Sequence, residues 1–145
     1  MAFRFPLAAV LRVRESIEQR EERALQKLQL EVSRVARQIE ELTAAIAQSH
    51  QALERALQTS IPASHVHGML ADVQSAMEKR QALFELLQTL ERQRDEQSKV
   101  YQAAHRGREM LTGMQKQQRD AYEVRQARAQ QKNLDDIFIA RRHRG

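Results

Sequence analysis

From Leu25 onward the apolar residues step along the chain by three and four: Leu25, Leu28, Val32, Val35, Ile39, Leu42 and Ile46, with Leu53 continuing after Ser49 takes one position. Alternating steps of three and four average 3.5 residues, the period at which a helix keeps a narrow apolar seam turned toward a partner helix. The sub-series Leu25, Val32, Ile39, Ile46 and Leu53 holds a seven-residue repeat throughout. Upstream, Leu7, Val10, Ile17 and Ala24 follow a frame offset by one residue, which predicts a stutter near residues 24–28 where the coil locally unwinds. Pro6 suits the first turn of this helix, where its missing N–H has no bond to lose. The pattern predicts helix one over residues 6–58.

The one convincing break covers residues 58–64, Gln-Thr-Ser-Ile-Pro-Ala-Ser. Pro62 disfavours helix at Ile61, and Ser60 or Ser64 is placed to cap the next helix, so a turn is expected at residues 59–64. Val66, Met69, Val73, Ala76, Leu83, Leu87 and Leu90 then resume the rhythm, interrupted at Arg80. Past Leu90 the seam carries Arg94 and Gln97 before Tyr101, Ala104 and Leu111 restore it. Gly107 and Gly113 each weaken a helix by about 1 kcal/mol relative to Ala without ending it. Helix two is expected over residues 65–133, then a flexible tail at 134–145, where hydrophobic contacts run out.

Two amphipathic helices joined by a short loop bury their stripes on each other, so the predicted fold is all-α: a single domain over residues 1–145, a long antiparallel two-helix coiled-coil hairpin with a C-terminal helical overhang. With the bend near residue 61, Leu7 falls opposite a residue near 115, and residues beyond about 118 have no partner within the chain. That overhang carries Tyr122, Val124, Leu134, Ile137, Phe138 and Ile139.

Composition narrows the function. Ala, Leu, Gln, Glu, Lys and Arg fill 92 of the 145 positions, against 4 Gly, 2 Pro, 6 aromatic residues and no Trp or Cys. This mixture suits long helices and lacks the turn residues of a sheet or many-element fold, so a core that encloses an active site is not expected. Without Cys, disulfides, thiolate metal sites and cysteine nucleophiles are excluded. No run approaches 18 apolar residues, and the apolar opening is broken by Pro6, Arg12 and Arg14 with no cleavage pattern after it. A soluble, uncleaved, cytoplasmic chain is expected.

Candidate chemistry is sparse. The glycines at 68, 107, 113 and 145 stand alone, so there is no phosphate-cradling loop. His65 and His67 are two apart and lack a completing carboxylate or thiolate, so no metal is expected. Neither catalytic residues nor a cofactor are expected on a two-helix scaffold without a dry concave pocket. The net charge of +5 is unevenly placed: residues 106–145 hold 10 basic and 5 acidic side chains and account for the whole excess. A basic stretch meets nucleic acid, anionic lipid or an acidic protein surface, or simply complements a helix C-terminus. Asp120, Glu123, Asp135 and Asp136 interrupt it, and no aromatic stacking platform accompanies it, so nucleic acid is the less favoured partner.

The opening Phe3-Arg4-Phe5-Pro6-Leu7, with Val10-Leu11 and Arg14-Glu15, resembles the amino-terminal signature of the flagellar type III export protein FliJ family. The closing Gln130-Gln131-Lys132-Asn133-Leu134-Asp135-Asp136 is similar to that family's carboxy-terminal segment, with Ile137 and Phe138 where an alanine usually comes after the acidic pair. The resemblance implies a non-enzymatic, stalk-like coiled coil of the bacterial flagellar export apparatus. It would be cytoplasmic and peripherally associated with the inner membrane through the export gate. Implied partners are the hexameric flagellar export ATPase, the cytoplasmic domain of the gate protein FlhA, and export chaperones. By position, the gate-binding face corresponds to Met69, Val73, Ala76 and Arg80, although Met69, Val73 and Ala76 also lie on the predicted seam. A basic end entering an acidic ring pore would be steered electrostatically, with Arg4, Arg12 and Arg14 from helix one and Arg119, Arg125, Arg128 and Lys132 from the overhang as candidate contacts. A generic coiled-coil scaffold or secretion chaperone fits the middle of the sequence equally well.

Overall fold

A stripe only two residues wide per seven has one economical cover, another stripe like it, and the two helices of this chain supply each other's. The computed structural model describes residues 2–144. Its described residues form two α-helices, α1 (Ala8–Leu57) and the longer α2 (Ala63–Arg144). The packing divides into two units: Glu22–Val100, and the stretch up to Glu21 together with that from Tyr101 onward. In each, α1 residues pack on α2 residues as a hairpin.

In the unit Glu22–Val100, the expected seam is the observed core. Val35, Ile39 and Leu90 form a buried cluster, covered by Leu28, Val32, Leu83 and Leu87. Val35 is 1% exposed, the most enclosed side chain among the described residues. Ile46, Leu53, Ala56 and Val73 extend the core toward the connection, while Ser49 is exposed. The polar seam positions keep the frame without being apolar: Arg80, Arg94 and Gln97 are all half-buried. Their aliphatic stems cover the stripe while their polar ends reach its edge, and Arg94 pairs with Asp95 at 3.2 Å.

At the connection, the Thr59 hydroxyl donates to the Ala56 carbonyl at 3.2 Å and takes up one of the carbonyls that the end of α1 leaves open. The carbonyl of Pro62 accepts from the amides of His65 (3.0 Å) and Val66 (3.3 Å), so α2 starts at Ala63 rather than at 65. Pro62 stands just outside the helix, where its lack of an N–H costs nothing. The Thr59 contact closes the end of α1, a different role from the capping of the next helix expected of Ser60 or Ser64. At the other end of α1, Pro6 lies in a turn closed by a bond from the Ala8 amide to the Phe5 carbonyl (3.1 Å), and the helix begins two residues later than expected.

In the second unit, the N-terminal frame differs from the expected offset. Leu11 is 7% exposed and Val10 45%, so the buried frame is the one that leads by sevens from Leu11 through Glu18 to Leu25. Of the expected frame, Leu7, Ile17 and Ala24 are half-buried and Val10 is not, while Glu18 and Glu21 hold inward positions that an apolar pattern cannot register. Glu18 is matched from α2 by Arg108, whose Nε donates to Glu18 Oε2 at 2.6 Å and whose Nη2 donates to Oε1 at 3.3 Å. The His105 ring lies alongside, Nδ1 3.5 Å from Glu18 and Nε2 3.0 Å from Glu109. The hydrogen bond from Arg108 holds the Glu18 carboxyl below the usual range. The Arg108 charge and His105 act in the same direction, and burial opposes them.

Farther along, the rings of Phe3 and Tyr122 approach to 5.6 Å between centroids. These pairings set the register about three residues beyond the expected opposition of Leu7 to 115. The inward positions on α2 continue through Gln115 and Gln118 to Tyr122. Among the described residues, none after Tyr122 is even half-buried.

The helix itself does not stop where contacts do. α2 continues to Arg144, past the expected end at 133, so residues 134–144 are helical and not an irregular tail; Gly145 lies outside the described residues. No Gly or Pro falls between 114 and 144, the Gln131 amide donates to Asp135 one turn on at 3.0 Å, and Arg141, Arg142 and Arg144 sit favourably at the negative end of the helix dipole.

The packing can be tested at the seam and at its ion pair. Val35→Ala opens a cavity in the most enclosed seam position and lowers stability by about 2 kcal/mol, whereas truncation of the exposed Leu30 changes it by less than about 0.5 kcal/mol; urea unfolding compares them. Because its folded carboxyl is held low, Glu18 contributes stability that is present above the ordinary glutamate value of about 4.3 and is lost as pH falls through the lower folded value. Glu18→Gln should therefore cost about 1 kcal/mol at neutral pH and progressively less in acid. Thermal unfolding of both proteins across this range tests it, and an equal loss at every pH would contradict the ion-pair account.

Candidate functional site

The structure sorts the sequence-predicted positions by accessibility. Of the proposed gate-binding set, Val73 is buried in the core and Met69, Ala76 and Arg80 are half-buried, all at seam positions against α1. The residues immediately after three seam positions are the ones that face outward. Leu70, Met77 and Phe84 come directly after Met69, Ala76 and Leu83, are spaced seven apart, and are all exposed. A seven-residue spacing returns nearly to the same side of a helix, so the three form one apolar edge along the seam. Gln74, Gln81 and Gln88, four residues after each, line its outer side without charge. The sequence already held this signal as a second heptad series beside the first, hidden because the first accounted for the periodicity.

The seven basic candidates all belong to the unit made of the stretches up to Glu21 and from Tyr101. Arg4, Arg12, Arg119, Arg125, Arg128 and Lys132 are exposed. Arg14 is exposed as well, and it reaches across to α2, its Nη1 3.5 Å from where a Cβ at Gly107 would stand.

The Phe3–Tyr122 pair stands beside this basic set, with Phe5 buried next to it at 7% exposure. The aromatic residues of the opening motif therefore anchor the chain that precedes α1 against α2, which frees Arg4 between them to point outward. The distal stretch of α2 presents Val124, Leu134, Ile137, Phe138 and Ile139, all exposed.

Gln38, Glu41, Leu42, Ala45, Lys79 and Leu83 line a groove, an open strip along the seam of the unit Glu22–Val100. His65 and His67 are both exposed, and among the described residues no cluster of three His, Asp or Glu is arranged to hold a metal ion. No helix among them is long and apolar enough to cross a membrane. What the surface offers is contact: an uncharged apolar edge on α2 near its start, and an uncovered basic helix at its far end.

No curated protein and no solved structure matches the chain. A family model does, the one described as Flagellar FliJ protein, over residues 3–145. The match takes in the opening Phe-Arg-Phe-Pro motif, both helices and the uncovered basic end. The chain belongs to the flagellar FliJ protein family, whose membership makes it a component of the flagellar export apparatus.

Proposed function

We propose that the protein is a non-catalytic, stalk-like coiled coil that couples the hexameric flagellar export ATPase to the export gate and escorts export chaperones. The observation that carries this is the basic stretch of α2 beyond Tyr122, helical and uncovered, in a chain of this family. A helix that continues for more than five turns without a partner in its own chain is shaped to enter something else. The ring contact is assigned to Arg4, Arg12, Arg14, Arg119, Arg125, Arg128 and Lys132, all exposed. Exposed charges of one sign raise the encounter rate with an acidic pore and orient the approaching end, an effect that weakens as salt rises.

The contact with the cytoplasmic domain of FlhA is assigned to the early part of α2. Met69, Val73, Ala76 and Arg80 set the position and shape of that face from the seam, and the apolar edge Leu70, Met77 and Phe84 meets the partner. An uncharged edge of this kind docks a surface by apolar burial, with exposed methionine adapting to its shape. In this role the chain works on the cytoplasmic side and reaches the inner membrane through the gate.

ATP hydrolysis by the cognate export ATPase should rise when the full chain is added. A chain ending after Tyr122 keeps the seam and the Phe3–Tyr122 pair and should lose that stimulation. Replacing Arg119, Arg125, Arg128 and Lys132 together with Gln should weaken the complex on the order of ten-fold at low salt and less at high salt. Stimulation retained by the shortened chain would move the contact to α1. No stimulation under conditions where the ring assembles would sink the stalk role.

For the gate, Met77→Gln with Phe84→Gln should weaken binding to the isolated FlhA cytoplasmic domain by about ten-fold while leaving the unfolding transition in place. Val73→Ala should lower stability, as a core position does. Unchanged gate binding by the double variant would remove the edge from the assignment.

A further inference from the structure

The last three turns of α2 carry a second pattern that the basic stretch as a whole conceals. Leu134, Ile137 and Phe138 stand at intervals of three and four and so share one side of the helix, with 61%, 53% and 67% of each residue exposed. Arg141 lies four residues after Ile137 and three after Phe138, Arg142 four after Phe138, and Arg144 seven after Ile137. Each arginine therefore stands one or two turns beyond an apolar residue on the same side or its flank. Asp136 and Lys132 turn to the far side, Asp135 stands at the flank where the Gln131 amide donates to it at 3.0 Å, and no acidic residue comes after Asp136.

We propose that residues 134–144 of α2 are a docking face for an anionic lipid surface. The apolar trio would enter the boundary between headgroups and acyl chains, and the three guanidiniums would bind lipid phosphates, for which their planar forks are suited. Complementarity of charge selects this occupant. A second copy would bring its own Arg141, Arg142 and Arg144 against these. A purely polyanionic surface would engage the arginines and leave Leu134, Ile137 and Phe138 in water. An interface that is apolar beneath and negative above satisfies both halves of the pattern, and an anionic lipid surface is that along its whole extent. A face this short binds weakly and reversibly, which suits a chain that must also leave the membrane. This contact is direct, distinct from any association with the membrane through the gate; it uses the last part of the stretch assigned to the ring, so the two contacts alternate, and vesicle binding by the chain alone reads it without the ring.

The full chain is sedimented with vesicles of phosphatidylcholine alone and with vesicles that also contain phosphatidylglycerol. Binding is expected on the second and not on the first. Replacing Arg141, Arg142 and Arg144 together with Gln should lower the partition on the order of a hundred-fold, from about 1 kcal/mol for each charge at an anionic surface. Ile137→Ser with Phe138→Ser should lower it about ten-fold, with the helical circular dichroism of the folded chain retained because these side chains cover no core. Equal binding to both vesicles, or no binding to either, would overturn the proposal. So would retention of binding by the Ile137→Ser, Phe138→Ser chain, which would reduce the segment to a polyanion site open to nucleic acid or an acidic protein.

Discussion

Everything in this fold hangs on mutual coverage of two narrow stripes. A seam that presents two inward positions per seven residues buries little area per turn, so neither helix has an alternative partner of comparable quality within the chain. The constraint fixes the rhythm of buried positions on both helices and leaves the flanking positions open to other uses. It also explains why polar residues are admitted to the seam at all. Where Glu18 and Arg108 meet, the loss of apolar contact is offset by a two-pronged charge-assisted bond that defines which residue faces which.

That bond gives the pairing direction. In a parallel, in-register dimer of two chains, Glu18 would face Glu18 and Arg108 would face Arg108, each a half-buried like-charge contact. Apolar seam residues such as Val32 or Leu87 tolerate either arrangement, so the intramolecular pairing depends for its specificity on the polar positions. Tyr122 closes the sequence of inward positions, and Phe3 meets it from the extended chain before α1 rather than from the helix.

Much of this is legible in the sequence because a heptad is a long-range statement made in local residues. Leu25 through Leu53, apart from the exposed Ser49, and Val66 through Leu111 read correctly, including the half-buried Arg80, Arg94 and Gln97. The frame goes astray where the inward residues are glutamates, since Val10 looks like a seam residue yet is 45% exposed, while Glu18 is half-buried and paired. The expected register is off because turn length alone positions the arms, whereas cross-helix partners decide it. The end of α2 falls too early in the sequence reading because loss of apolar contact is equated there with loss of helix, yet residues 134–144 lack breakers and carry compensating charges. For the candidate surfaces, the basic residues are visible by count alone. The edge Leu70–Met77–Phe84 needs the structure, which shows that its neighbours Met69, Ala76 and Leu83 face inward.

The Glu18–Arg108 bond also constrains how the sequence is free to drift. Ninety residues separate the two positions along the chain, yet each sets the charge that the other must carry. A change of sign at one site leaves its partner half-buried against a like charge until the second site changes too. Lineages that depart from this pair should therefore depart at both sites, whether by exchanging the charges or by replacing both with apolar residues. A residue near the start of α1 and one deep in α2 are in this sense inherited as a single character.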